Sequence, residues 1–191
     1  MKYLPILVFL KRVLNYSPFI IHVFLLIRNP IFFFKGYFGD KEGVITFWSG
    51  LKLAVYNKDD ISSISVIFLK KQYGKIEESV KTVFDIGANR GYFSLLAAES
   101  PQVTVYSFEP IPETFKSFEN NIKVNEIKNI KAFNLGVAGK TSKNTFYFAD
   151  NKSIVSSMVF QDEMKSKKVD IDCISLADVF SKNNIKSVSG M

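Results

Sequence analysis

The sequence predicts an α/β fold built around a Rossmann-like parallel half-sheet, on the strength of three observations. The first is the stretch 82–98, TVFDIGANRGYFSLLAA. An apolar run, Val83-Phe84-Asp85-Ile86, breaks at Gly87-Ala88-Asn89-Arg90-Gly91 and resumes as Tyr92-Phe93-Ser94-Leu95-Leu96-Ala97-Ala98. That is the pattern of a buried strand, a glycine turn and a helix. The second is its repetition. Residues 103–108 read as a strand ending at Glu109-Pro110, Pro112 suits the first position of a helix, and 129–135 read as a third strand. Strand, helix, strand, helix, strand implies parallel strands joined by right-handed crossovers. The third is the turn itself, which lets a ligand approach bare backbone where unpaired N–H groups point outward.

The elements around this core follow from composition and pattern. At 191 residues the chain holds one core rather than two full domains, and 47% hydrophobic residues place it among folded proteins. The net charge of +7 is uneven: residues 1–75 hold 11 Lys/Arg against 4 Asp/Glu, a balance of +7, and residues 76–191 hold 14 against 14. A basic patch for nucleic acid is one use of such a charge. The apolar density around these bases fits a lipid surface better, so no nucleic-acid partner is expected.

Residues 1–39 carry Lys2, Lys11, Arg12, Arg28 and Lys35 and no acid before Asp40. The longest uncharged run, 13–27, is short of the roughly 18–20 residues of a spanning helix, and Lys11-Arg12 stands where a signal peptide needs small residues. The segment either packs as helices or lies on a membrane with its bases toward anionic lipid. Residues 44–48 and 51–56 then read as a hairpin about a two-residue turn, Ser49-Gly50. Asp59 or Asp60 can cap a helix in which Ile61, Ile64, Ile67 and Phe68 recur at helical spacing as far as Tyr73, with Gly74 ending it. Downstream, 145–149 and 169–174 read as strands around a polar loop, 150–168. Ser175 can cap a helix over 176–182, and 185–188 begins a strand approach.

Cys173 is the one cysteine, which excludes an internal disulfide framework and a thiolate-rich metal site; no metal is expected. A reducing, cytoplasmic location is the default, with residues 1–39 the only candidate for contact with the inner face of a membrane. The one histidine, His22, sits in an apolar run and is a poor base for a nucleophilic triad.

The loop spacing selects the ligand. Asp85-x-Gly87-x-Asn89-x-Gly91 is not the G-x-G-x-x-G of a dinucleotide site. Asp85, at the strand end, would repel a pyrophosphate but suits a cofactor with a cationic end. S-adenosylmethionine has an ammonium, a sulfonium and no phosphate. Glu109, 18 residues after Gly91 at the next strand end, can accept both ribose hydroxyls. A nicotinamide oxidoreductase would share Glu109 but is opposed by Asp85.

Residues 83–94, with Ser107-Phe108-Glu109-Pro110, resemble the first two motifs of class I S-adenosylmethionine-dependent methyltransferases, and more narrowly the FkbM type. That type shows D-I-G-A-N-x-G-x-[FY]-[ST], an F-E-P strand end and a helix ending near N-x-x-x-N. Here that helix contains Asn120-Asn121-Ile122-Lys123-Val124-Asn125. The pair 44–56, the helix 61–73 and Ser156-Ser157 also have counterparts in the family. The resemblance implies a three-layer sandwich and O-methyl transfer to a hydroxyl of a small-molecule, glycan or lipid acceptor. It places Asp85, Gly87, Asn89 and Gly91 on the methionine side and Glu109 at the ribose, with Ala88, Tyr92, Phe93 and Pro110 also among the cofactor-binding residues. Asn134 and Leu135, with Gly136, fall near adenine. The family pattern continues through an L-D-D-like helix, here Leu176-Ala177-Asp178, into a fourth strand with an acidic motif. After Val188 only Ser189-Gly190-Met191 follow, so a C-terminally truncated member is expected. Its sheet would be incomplete, it would have no nameable general base, and the open edge of its first strand would be free for self-association or a partner chain. Asp172 and Asp178 read as structural. The expected organisation is a basic apolar helical segment over 1–39, a hairpin and helix over 40–81, and the truncated cofactor-binding domain over 82–191. A non-catalytic cofactor-binding fragment is the alternative to an enzyme.

Overall fold

The computed structural model describes residues 18–149, 156–157, 166–183 and 185. The chain divides into two compact units, Met1–Ile76 with Lys123–Glu126, and Glu77–Ile122 with Ile127–Met191. The second half of the segment 1–39 is helical, in α1 (18–26) and α2 (Pro30–Phe38); residues 1–17 lie outside the described residues.

In the first unit β1 (Gly43–Thr46) and β2 (Lys52–Val55) form the expected antiparallel hairpin, with Thr46 opposite Lys52. The two-residue turn is corrected to a longer loop. Phe47 N donates to Leu51 O at 2.8 Å and Gly50 N donates to Phe47 O at 3.0 Å, while Phe47 also bridges Ile27. The Phe47–Leu51 bond closes the reversal over three residues, 48–50, a common hairpin solution. Asn125, part of this unit, grips Lys52 twice, accepting from its N–H at 2.7 Å and donating to its carbonyl at 2.6 Å.

The cap of α3 (Lys58–Ile64) is also corrected. Asn57 is the N-cap, accepting from Asp59 N and Asp60 N, and Asp60 sits at the third helical position, its carboxylate accepting from Tyr56 N and Asn57 N. This reciprocal capping box satisfies N–H groups that an Asp cap alone would leave. Asn57→Ala is expected to cost about 1–2 kcal/mol, read as a lower urea midpoint; an unchanged midpoint would remove the box from the account. After Ile64 the helix widens into a π turn over Ser65–Leu69 and stops at Lys70, short of the predicted Tyr73. Ile61, Ile64, Ile67 and Phe68 are all buried, as their spacing predicts.

The second unit holds the parallel sheet, in the order β3 (Thr82–Ile86), β4 (Thr104–Phe108), β5 (Ile130–Phe133). β3 is an edge: among the described residues no strand pairs with its outer side. Register sets Phe84 beside Tyr106, Asp85 beside Ser107 and Phe108 beside Phe133. Alternation then sorts the faces. Phe84 stacks on Tyr106 at 5.3 Å and Phe108 on Phe133 at 5.1 Å, and Phe180 of α6 (Leu176–Lys182) meets Phe84 edge-on. On the opposite face Asp85 and Ser107 meet α4 (Tyr92–Ala98). Helices thus cover both faces of a three-layer α/β arrangement. α5 (Pro112–Val124) starts at Pro112, as predicted, and buries Phe118 against the glycine loop.

A second sheet, β6-β9-β7-β8, follows: β6 (Gly136–Ala138), β7 (Ser142–Ala149), β8 (Ser156–Ser157) and β9 (Ser166–Ser175). β7 and β9 pair antiparallel over eight positions, longer than the sequence suggested, and β6 was not foreseen. Most of the polar loop 150–168 and of the strand approach 185–188 lies outside the described residues. Ser175 caps α6 as expected, accepting from Asp178 N; Asp178 in turn accepts from Thr141 and Ser175, and Asp172 pairs with Lys143.

Candidate functional site

The site is built at the C-terminal ends of β3, β4 and β5, where the first two strands break into Asp85–Gly91 and Glu109–Ile111. The turn after β3 is tied to β4 through one carbonyl: Gly87 N and Ala88 N both donate to Phe108 O at 2.9 Å. Asn89 then takes the left-handed conformation, φ 51, a region Asn tolerates better than most residues. Its N–H donates to Glu109 Oε2 at 2.8 Å, and Ile111 N donates to Glu109 Oε1 at 2.9 Å. Each oxygen of the Glu109 carboxylate is therefore held by one backbone donor and retains capacity for a further hydrogen bond.

Asp85 is positioned from the sheet side. The Ser94 hydroxyl donates to Asp85 Oδ2 at 2.5 Å, and Ser107 Oγ lies 2.7 Å from Ser94 Oγ. Since the single Ser94 proton goes to the carboxylate, Ser107 is the donor to Ser94. Both serines are fully buried, so this chain of hydroxyls is insulated from water.

Two glycines frame the loop for different reasons. Gly91 has φ +78, and a Cβ there would fall 1.9 Å from Phe118 Cδ2, so the helix approach requires its absence. Gly87 has φ +77 but is exposed, and a Cβ there would meet nothing within 4 Å: bare backbone faces open space. The far side of the loop is clamped by α5, where Asn121 Nδ2 donates to Arg90 O at 2.9 Å and Arg90 Nη1 donates to Ser117 Oγ at 3.1 Å.

Asp85, Gly87, Ala88, Asn89, Gly91, Glu109, Pro110 and Asn134 thus come together on adjacent strand ends. Asn134 Nδ2 donates to the carbonyls of Glu109, at 2.8 Å, and Pro110, at 3.1 Å, which ties β5 to the end of β4. Tyr92 is buried, Phe93 is half-buried, and Leu135 packs against the apolar cluster of Tyr106, Phe108, Ile174 and Val179. Ser94, Ser107 and Asn121 are the positioning residues; the motifs that carry the resemblance contain all three, but sequence alone assigned them no role.

Burial pushes the Asp85 carboxyl up, with the Ser94 hydroxyl and N–H pulling against it. Glu109 is likewise pushed up by burial and by neighbouring Asp85, against the N–H groups of Ile111 and Asn89 and the charge of Arg90. A carboxyl raised in the folded state holds protons more tightly there than in the unfolded chain. Its contribution therefore favours the fold below the ordinary carboxyl range and is lost as pH rises through the raised value. Capture of a cation runs the opposite way, because it needs the ionised forms. Affinity for S-adenosylmethionine is expected to fall as pH drops from about 7 toward about 4, by up to about tenfold per unit for each carboxyl once below its raised value. Calorimetric titration across that range checks this; a flat affinity would separate ligand capture from these two groups.

Two ionisable acids beside an open glycine backbone make a poor seat for a phosphate and a good one for a cationic nucleoside. The residues present therefore fit S-adenosylmethionine. Among the described residues no cluster of ligands suits a metal ion.

A family model described as the methyltransferase FkbM domain matches residues 85–190. Among curated proteins the chain is similar to Methyltransferase 1 of Beauveria bassiana (strain ARSEF 2860), at 26% identity over 87 residues, 45% of this chain and 35% of that protein. It thus spans about a third of the length of the curated relative it matches. Among solved structures it is similar to a putative transferase from Pyrococcus horikoshii, with 24% identity, TM-score 0.40, and 51% of this chain and 37% of that one covered. It is also similar to P. horikoshii TYW2 in complex with MeSAdo, with 25% identity, TM-score 0.39, and 50% and 37% covered. With the family model covering more than half of the chain and beginning at Asp85 itself, the protein belongs to the FkbM methyltransferase family, and its cofactor is S-adenosylmethionine.

Proposed function

We propose that the chain transfers a methyl group to a hydroxyl of a sugar, lipid or related small acceptor. The observation that supports this reading best is the pair of carboxylates, Asp85 and Glu109, fixed on neighbouring strand ends on either side of the exposed Gly87 backbone. The cofactor supplies an electrophilic methyl group on sulfonium sulfur. The chain's own residues bind and orient: Glu109 accepts from the ribose hydroxyls, Asp85 holds the cationic end, and the turn from Gly87 to Gly91 lets the ligand lie against backbone. The hydroxyl acceptor rests on the family, in which the resemblance implies O-methylation. The proton released by that hydroxyl passes to a base that Asp178 and Asp172 do not supply, since the first is engaged at the α6 cap and the second pairs with Lys143.

Incubation of the chain with methyl-labelled cofactor and a panel of sugar, lipid and phenolic hydroxyl acceptors tests the reading, with label transfer to at least one class expected. A second reading, cofactor binding without transfer, is favoured by β3 lying at the sheet edge among the described residues, which leaves the site a flank on one side only. Calorimetric binding with no transfer to any acceptor would select it. Tighter binding of NAD than of S-adenosylhomocysteine would overturn both.

A further inference from the structure

We propose that the face formed by α1, α2 and Trp48 docks on an anionic lipid surface, lying in its plane. The inference is independent of the cofactor site. Val23, Ile27 and Phe33 turn inward and are fully buried, and Gly36 fits closely over Ile61. Ile20, Ile21, Phe24, Leu25 (65% exposed), Ile31 (69%) and Phe38 (83%) turn outward. An apolar face of this kind on a folded chain marks a contact surface.

What covers it is argued from charge. Residues 18–39 contain Arg28 and Lys35 and no acid; Asp40, Lys41 and Glu42 follow. Lys35 and Lys41 flank an open cleft of about 650 Å³ floored by Ile31, Phe34 and Phe38. Arg28 lies 5.9 Å from the centre of the Trp48 ring, whose indole N–H points to Phe24 O at 3.4 Å. Apolar side chains ringed by bases, with an exposed tryptophan paired to an arginine, match the boundary between acyl chains and anionic headgroups. A second copy laid on the same face would gather six bases, Arg28, Lys35 and Lys41 from each copy, against four acids, Asp40 and Glu42 from each. Residues 1–17 would add Lys2, Lys11 and Arg12 to the same positive field. Both occupants are disfavoured by like charge. A span is not the mode either. α2 has nine residues, about 14 Å of helix against a core of about 30 Å. No helix among the described residues is long and apolar enough to cross a membrane.

Trp48 is the only tryptophan, so its emission reports this face directly. The full chain is mixed with vesicles of phosphatidylcholine alone or with about one-third phosphatidylglycerol, and binding is read by sedimentation and by the Trp48 emission maximum. A blue shift and binding at least about tenfold tighter on the anionic vesicles are expected, both weakened in about 0.5 M salt. The double variant Leu25→Ser/Phe38→Ser should lose binding to either vesicle. Arg28→Gln/Lys35→Gln should lose about 25-fold on anionic vesicles, at about fivefold per base, and little on neutral ones. An unchanged circular-dichroism spectrum and urea midpoint certify that each variant is folded. An unmoved Trp48 emission on anionic vesicles overturns the proposal. Ultracentrifugation then assigns the face to a second copy if the chain is a dimer, or to residues 1–17 if it is a monomer.

Discussion

Gly91→Ala is expected to destabilise the second unit severely. The left-handed φ of +78 costs a non-glycine residue about 1–2 kcal/mol. The new methyl would also sit 1.9 Å from Cδ2 and 2.0 Å from Cε2 of Phe118, a ring with no exposed surface and hence no room to retreat. Overpacking of this sort adds about 1–3 kcal/mol or more. Together these come to about 2–5 kcal/mol, a large share of the about 5–15 kcal/mol that holds an ordinary domain folded. Urea unfolding followed by circular dichroism measures it, and a midpoint near that of the parent chain would show that the ring can move. Gly87→Ala is the informative contrast. Its φ is nearly the same, so about 1–2 kcal/mol of strain is expected, but its methyl meets no protein atom. The chain should stay folded and lose cofactor affinity by at least about tenfold, because the methyl protrudes where the ligand would lie against backbone. Unchanged affinity would move the ligand away from this turn.

Glu109→Ala is expected to weaken S-adenosylmethionine binding by at least about 100-fold. Two hydrogen bonds from ribose hydroxyls to a carboxylate are worth about 1.5–3 kcal/mol each. Stability should change less. Losing the acceptor of Asn89 N and Ile111 N is offset by removing a buried negative charge beside Asp85. Glu109→Gln keeps one acceptor oxygen and should fall between the two. Calorimetry with thermal unfolding on the same samples separates the effects, and parallel losses of affinity and stability in both variants would mean that Glu109 merely holds the loop.

These expectations rest on parts of the chain that sequence reading reaches unequally. The loop 85–91 was legible because its constraints are local: an apolar strand, glycines where φ is positive, and an acid that decides the ligand's charge. The cap of α6 was legible for the same reason. The cap of α3 was misplaced because Asn57, Asp59 and Asp60 are all capping residues, and only the fold shows Asp60 reaching back to Tyr56 N and Asn57 N. The π turn was invisible because Ile61, Ile64, Ile67 and Phe68 fit an ordinary helix as well as a widened one. The long β7–β9 ladder was underestimated because the positions it adds, such as Lys143, Asn144, Lys167 and Lys168, are charged or polar rather than apolar. The clamps on the site were beyond reach altogether: Asn121 to Arg90 and Asn134 to Glu109 join residues 31 and 25 apart, and nothing in either neighbourhood announces its partner.

The clamping of Glu109 has a thermodynamic corollary. Both carboxylate oxygens accept from backbone N–H groups, and the residue's own carbonyl is fixed by Asn134. The loss of rotamer freedom that a glutamate suffers on ordering, up to about 2 kcal/mol, is therefore incurred when the chain folds and not when the ligand arrives. On the proposed reading an arriving nucleoside would meet an acceptor already at rest, and its encounter should be governed by diffusion and desolvation, with little side-chain rearrangement to slow it.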